Sequence, residues 1–102
     1  MSEGVTVTVA WAIKPEFADR FVESLRGMFP VTRLREGFRN IRLLRSDVDP
    51  GQFLLIEEWD EAQNFRDYAQ FRVETGDTAA LLAMVASPPQ LDVWALPAAA
   101  QA

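Results

Sequence analysis

Val5 to Ile13 reads VTVTVAWAI. Val5, Val7, Val9, Trp11 and Ile13 alternate with Thr6, Thr8, Ala10 and Ala12. A period of two, rich in β-branched residues, is the pattern of a strand. The second set of positions is small and uncharged, so neither face is built for bulk water. Such a strand belongs inside a sheet covered on both sides, one side by helices and the other by a further layer.

The rest of the chain supplies the partners. Pro15 suits the first turn of a helix, and Glu16 and Asp19 suit its positive end. Phe17, Phe21, Leu25 and Met28 then recur at helical spacing, flanked by Ala18, Val22 and Phe29. Pro30 interrupts this helix, Val31–Glu36 makes a further short helical turn, and Gly37 stops it. Phe38–Asp47 reads as the second strand and Phe53–Trp59 as the third. Between them Val48-Asp49-Pro50-Gly51 forms a turn, with Pro-Gly at the two central positions of type II. Phe53, Leu55, Glu57 and Trp59 share one face of the third strand, and Leu54, Ile56 and Glu58 the other. Glu61–Glu74 is the second major helix, with Ala62, Phe65, Ala69 and Arg72 along one stripe and Tyr68 beside it. Gly76 ends it, and Asp77 caps a third helix over Thr78–Ala86. Ser87-Pro88-Pro89 stops that helix, and Leu91–Leu96 is the last strand.

The order β-α-β-β-α-α-β is the split βαβ of an α+β, ferredoxin-like fold, a four-stranded antiparallel sheet with helices on one face. One domain spans residues 1–102, with its core at 5–96 and a flexible tail at 97–102. The uncovered face carries Thr6, Thr8, Leu54, Ile56 and either Val93 or Trp94. That mixture is too apolar to stay wet over a large area, so the expected partner is a second copy, giving a homodimer through the sheet face.

Composition narrows the function. The 10 Lys and Arg face 15 Asp and Glu, a net charge of −5. That balance argues against nucleic acid or an anionic membrane as partner. Of the basic residues, Arg33, Arg35, Arg39, Arg42 and Arg45 fall in one stretch, read as a solvated edge or as interface ion pairs. With no cysteine and no histidine, thiolate nucleophiles, thiolate or imidazole metal sites and His-based triads are excluded. A carboxylate-only Mg²⁺ or Ca²⁺ site stays open on composition, but no EF-hand spacing appears and no metal is expected. The amino-terminal residues lack a basic segment followed by an apolar one, and the expected location is a reducing cytoplasm.

The stretch IEEWDEAQNFRDYAQF, Ile56 to Phe71, concentrates the candidate chemistry. Trp59, Phe65 and Tyr68 read either as core filling or as the lining of a cavity that stacks a flat aromatic ligand. Glu57, two residues from Trp59 on the same face, is a candidate base if desolvated, or else a rim carboxylate paired with Arg39 or Arg42. Tyr68 offers a hydroxyl to a ligand, or is a core aromatic with that hydroxyl at the surface. Asn40, read on the face of Phe38 and Arg42, offers a polar contact. Arg42 stabilises an anion there or forms an ion pair. Arg72 reads as solvent-facing, Trp11 as core, and Met28 and Met84 as gap fillers.

With VTVTVAW, PEFADRFVESLRGMF, Gly37-Phe38 and above all LLIEEWDEAQNFRDYAQF, the chain resembles the antibiotic biosynthesis monooxygenase family of dimeric α/β barrels, over about Val5 to Leu96. The resemblance implies a homodimer whose sheets face one another, with one pocket per subunit between sheet and helices. It implies a cofactor-independent monooxygenase acting on an aromatic or quinol small molecule with O₂, without metal or flavin. Trp59 falls on the family's pocket Trp. Glu57 and Tyr68 are then catalytic candidates, and Trp59, Phe65, Asn40 and Arg42 substrate-binding ones. The chain departs from the family at Leu55, where some members carry Asn; at Phe65, where some carry Tyr; and at Tyr68, a frequent His. Those departures keep open a second reading, a non-catalytic small-ligand-binding or stress-response protein of the same fold. Loss of that His also disfavours heme degradation through a His-ligated iron.

Overall fold

The computed structural model describes residues 3–96; the expected tail at 97–102 lies outside the described residues. The alternating segment forms β1 (Val5–Ile13) and takes an interior position in a four-stranded sheet. Its companions are β2 (Phe38–Arg45), β3 (Gln52–Trp59) and β4 (Val85–Ala95), in the order β2-β3-β1-β4 with every pair antiparallel. A 3₁₀ turn at Pro15–Phe17 leads into α1 (Ala18–Thr32), and α2 (Ala62–Thr75) and α3 (Asp77–Leu82) follow β3. This is the ferredoxin-like α+β fold, with an open sheet. Among the described residues no helix is long and apolar enough to cross a membrane.

The core forms where the apolar faces of β1 and β3 meet the helices. Val7, Val9, Trp11 and Ile13 are buried, as are Phe53, Leu55 and Trp59. They pack with Ala18, Phe21 and Leu25 of α1, Phe65 and Tyr68 of α2, Leu81 of α3, and Met84. Phe21 ties the layers together, its ring 5.3 Å from Trp11 and 5.0 Å from Phe53. Burial of one such side chain contributes about 1.5–3 kcal/mol. Opposite the helices lie Thr6, Thr8, Leu54 and Ile56, all half-buried, with the more exposed Leu44 and Trp94. The pairing Thr6–Trp94 places Trp94 on this open face and Val93, opposite Val7, on the helix face. There the Trp94 Nε1 donates to Thr8 Oγ1 at 2.8 Å.

The structure departs from the sequence expectations at its proline and glycine positions. Pro30 lies inside α1, which runs on to Thr32. A proline that close to a helix end removes one backbone bond without stopping the last turn. Val31–Glu36 is consequently no separate helix but the end of α1 and a turn. The β2–β3 turn is closed by Gln52 N donating to Asp49 O, around Pro50-Gly51. Gly51 does not take a positive φ, so the turn is not type II. A glycine is needed there because a Cβ would come within 2.6 Å of the Ile13 carbonyl oxygen. Gly76 caps α2 at φ 85°, as expected, and also takes the cap position of α3, which starts at Asp77. The last strand begins at Val85 rather than Leu91, so Ser87-Pro88-Pro89 is strand and not a stop. β4 is an edge strand with register shifts against Ala10–Ile13. Edge position and bulges are where a sheet tolerates residues that cannot donate to the ladder.

Candidate active site

Between the helix face of the sheet and the three helices lies a cavity of about 270 Å³. Val9, Leu25, Leu55, Phe65, Leu81 and Leu91 make most of its wall apolar. The charged side chains on that wall are Glu57, carried by β3, and Arg72, carried by α2. Strand alternation brings Glu57 inward, because it shares the face of Leu55 and Trp59. Glu57 is 3% exposed and accepts a hydrogen bond from Trp59 Nε1 at 3.0 Å.

A carboxylate in such surroundings loses its hydration. Burial pushes the Glu57 carboxyl from 4.5 up to about 7, against the opposing pull of the Trp59 N–H and the charge of Arg72. Near neutral pH it therefore divides between acid and carboxylate, the condition for a group that takes up and gives back a proton.

Arg72 is held from several directions. Its Nε donates to Tyr68 Oη at 3.0 Å, and Nη1 to Asp77 Oδ2 at 2.8 Å. Nη2 donates to the Met28 carbonyl at 2.9 Å and to Thr32 Oγ1 at 3.3 Å. The Thr32 and Tyr68 hydroxyls are 2.8 Å apart. A guanidinium near the C-terminal end of α1 also meets that helix's negative pole. Asp77 is the half-exposed member of the Arg72–Asp77 ion pair and Arg72 the buried one. Local sequence prepares this arrangement. Glu61 and Asn64 form a capping box that starts α2 right after β3, and the four-residue step from Tyr68 to Arg72 puts both on one face of that helix.

The structure sorts the expected site residues. Glu57 and Phe65 line the cavity. Trp59 does not; it is fully buried between Phe38 and Tyr68, with ring centroids at 5.6 and 5.2 Å, and reaches the cavity only through its bond to Glu57. Tyr68 is buried and does not line the cavity; its hydroxyl is engaged by Thr32 and Arg72. Asn40 and Arg42 lie on the opposite, open face, aligned with Glu58 and Ile56. The cause is a bulge between Phe38 and Asn40, where one extra residue separates the face of Phe38 from that of Asn40 and Arg42. Glu57 pairs with neither Arg39 nor Arg42; Arg39 meets Asp60 at 2.6 Å. Arg72, expected to face solvent, is 7% exposed. Its place on the apolar stripe with Phe65 and Ala69 was the available signal. Trp11 is buried as expected, but it also lines the cavity.

Comparison with known proteins follows the same lines. The family model for antibiotic biosynthesis monooxygenases matches residues 4–73. No curated protein matches. Among solved structures, a conserved protein from Methanosarcina mazei Go1 superposes with a TM-score of 0.85 at 14% identity, covering 92% of this chain and 93% of that one. Rv0793 from Mycobacterium tuberculosis gives 0.82 at 20% identity, covering 97% and 100%. A variant of SnoaB, a cofactor-independent oxygenase from Streptomyces nogalater, gives 0.81 at 16% identity, covering 93% and 94%. At such identities the likeness is one of fold. The matched segment takes in Glu57, Trp59, Phe65, Tyr68 and Arg72, and the chain belongs to the antibiotic biosynthesis monooxygenase family.

Proposed function

We propose that this protein is a cofactor-independent monooxygenase acting on a hydroxylated aromatic or quinol small molecule, held in the cavity between sheet and helices. The observation that carries the reading is Glu57, a carboxyl buried in an apolar wall and raised to about 7. As carboxylate it takes the phenolic proton of the substrate. The fixed charge of Arg72 on the same wall stabilises the resulting anion. That electron-rich anion reduces O₂ directly. One oxygen atom enters the substrate and the other leaves as water, with all the electrons drawn from the substrate. Phe65 contributes a flat apolar surface, while Trp59 and Tyr68 act as positioning residues behind Glu57 and Arg72.

The same reading includes a homodimer through the open sheet face, in a chain whose lack of cysteine suits a reducing cytoplasm. Leu44, Leu54, Ile56 and Trp94 give that face an apolar centre. Arg42 and Glu58 lie on it together, so the face also carries charges of both signs, which two copies related by a two-fold axis can pair reciprocally. A solution mass of two chains is expected; a single-chain mass at working concentration overturns the dimer.

The functional test is O₂ uptake with a panel of dihydroxynaphthalenes and anthrones. Uptake above the buffer control is expected with at least one of them, and Glu57→Gln should abolish it while ligand binding persists. A second reading, a small-ligand binder without turnover, draws on the Tyr68 hydroxyl being engaged inside the protein. Ligand-induced thermal shifts with no O₂ uptake for any member of the panel would establish that reading instead.

A further inference from the structure

The walls of the cavity pass from buried to exposed in one direction. Across the sheet, Leu55 of β3, Val9 of β1 and Leu91 of β4 lie in one row, each opposite the next. Leu55 and Val9 are buried, whereas Leu91, on the edge strand, is 50% exposed. The same gradient occurs above the sheet. On α2, Phe65 is buried, Ala69 half-buried and Val73 55% exposed, at four-residue steps along one face. On α3, Leu81 is buried and its neighbour Leu82 is 43% exposed. All of these side chains line the cavity.

A residue that lines a cavity and also meets water stands at its opening. Val73, Leu82 and Leu91 therefore form the mouth, on the β4 side, while Glu57 lies at the closed end on β3. Those two strands flank β1, so the mouth is about 10 Å across the sheet from the carboxyl. Single exposed aliphatic residues are ordinary on a protein surface. These three come from three different elements and meet at one opening, continuous with the apolar wall inside. Core packing does not require them, since a polar side chain would serve at a site half open to water. The sheet face proposed to pair two copies includes none of the three. The cavity volume of 270 Å³ is small against the roughly 300–1,000 Å³ of pockets for drug-sized ligands, so a ligand longer than a small ring system extends through the mouth.

We propose that Val73, Leu82 and Leu91 form a subsite for an alkyl substituent of the ligand, and that the preferred ligand is a hydroxylated aromatic with a short alkyl chain on the side away from its reacting hydroxyl. The inference rests on the reading of this cavity as the substrate site. The ring with its hydroxyl occupies the closed end beside Glu57 and Arg72, and the chain covers the aliphatic mouth. Covering that mouth removes apolar surface of both partners from water, which favours the alkylated ligand over its bare ring.

The test titrates the ¹⁵N-labelled full chain under nitrogen, where no O₂ is turned over, with 1-naphthol, 4-ethyl-1-naphthol and 4-butyl-1-naphthol. In this series the chain lies across the ring from the hydroxyl. Full burial of one methylene tightens binding about fourfold, and at a half-wet mouth about twofold is expected, so the butyl compound should bind about tenfold more tightly than 1-naphthol. It should also move the Val73, Leu82 and Leu91 amides further than 1-naphthol does. In the double variant Val73→Ser, Leu82→Ser the ratio of the two affinities should fall to about threefold or less. If 1-naphthol shifts the Val9 and Leu55 amides but affinity does not rise with chain length, or the ratio survives in the double variant, the subsite is overturned and the cavity reading stands. If 1-naphthol moves neither amide, the cavity reading is overturned and the subsite with it. A double variant of lower solution mass than wild type would assign the mouth to contact between copies and overturn the subsite. Should the double variant not fold, the chain-length series and the three mouth amides of the wild-type chain decide alone.

Discussion

Replacing Glu57 with Gln should make the protein more stable at pH 8 and much less so at pH 5. Gln keeps an oxygen for the Trp59 N–H but has no charge to bury. The wild-type carboxyl is raised in the fold from 4.5 to about 7. Between those values the native state holds a proton that the unfolded chain has released. Stability contributed by this group is therefore fully present below about 4.5 and is lost as pH rises through about 7. A shift of that size corresponds to a loss of about 3 kcal/mol, of which roughly 2–3 kcal/mol falls between pH 5 and pH 8. The assay is urea unfolding of both proteins at the two pH values, followed by far-UV circular dichroism at one protein concentration. With a slope of about 1–3 kcal/mol per molar urea, the midpoints should diverge by ~1–2 M more at pH 8 than at pH 5. Other carboxylates titrate alike in both proteins and cancel in the comparison. Midpoints that differ by the same amount at both pH values would refute the reasoning, because Glu57 would then be ionised without penalty.

Further outcomes follow from the same contacts. Tyr68→Phe removes the oxygen that meets Arg72 Nε and Thr32 Oγ1 and should lower stability by about 1–3 kcal/mol in thermal or urea unfolding. Arg72→Met breaks the buried Arg72 cluster and should cost about 3–5 kcal/mol. By removing a charge that lowers the Glu57 pKa, it should also move the carboxyl titration upward, read by ¹³C NMR. Gly37→Ala forces a non-glycine residue to φ 79° and drives its Cβ into the Asn64 side chain, for a loss of about 1–3 kcal/mol with the fold retained in circular dichroism.

The sequence made the fold legible where patterns were periodic. The alternation in Val5–Ile13, the faces of Phe53–Trp59 and the apolar stripe of α2 each encode their own burial, because one side chain in two or in three to four points the same way. It misled where a single residue shifted the period. One bulged position after Phe38 turned Asn40 and Arg42 to the open face, and bulges carry no periodic signature. Pro88 and Pro89 were legible as breakers, but not as residues of an edge strand, since edge position depends on which strands pair. Glu57 was identified as a candidate because its neighbours on β3 are core residues. Arg72 was not, since its burial depends on Met28 and Thr32 some forty residues away. The inward bonding of the Tyr68 hydroxyl was illegible for the same reason: it finds partners that only the docking of α1 on α2 supplies.

The most direct measurement is the pH dependence of kcat/KM for O₂ uptake with the preferred dihydroxynaphthalene, corrected for oxidation in buffer. The free enzyme's profile should rise with pH through an inflection near 7, the position set by burial of Glu57. Activity that stays level between pH 5 and pH 9, or an inflection that persists in Glu57→Gln, would contradict the assignment of Glu57 as the base.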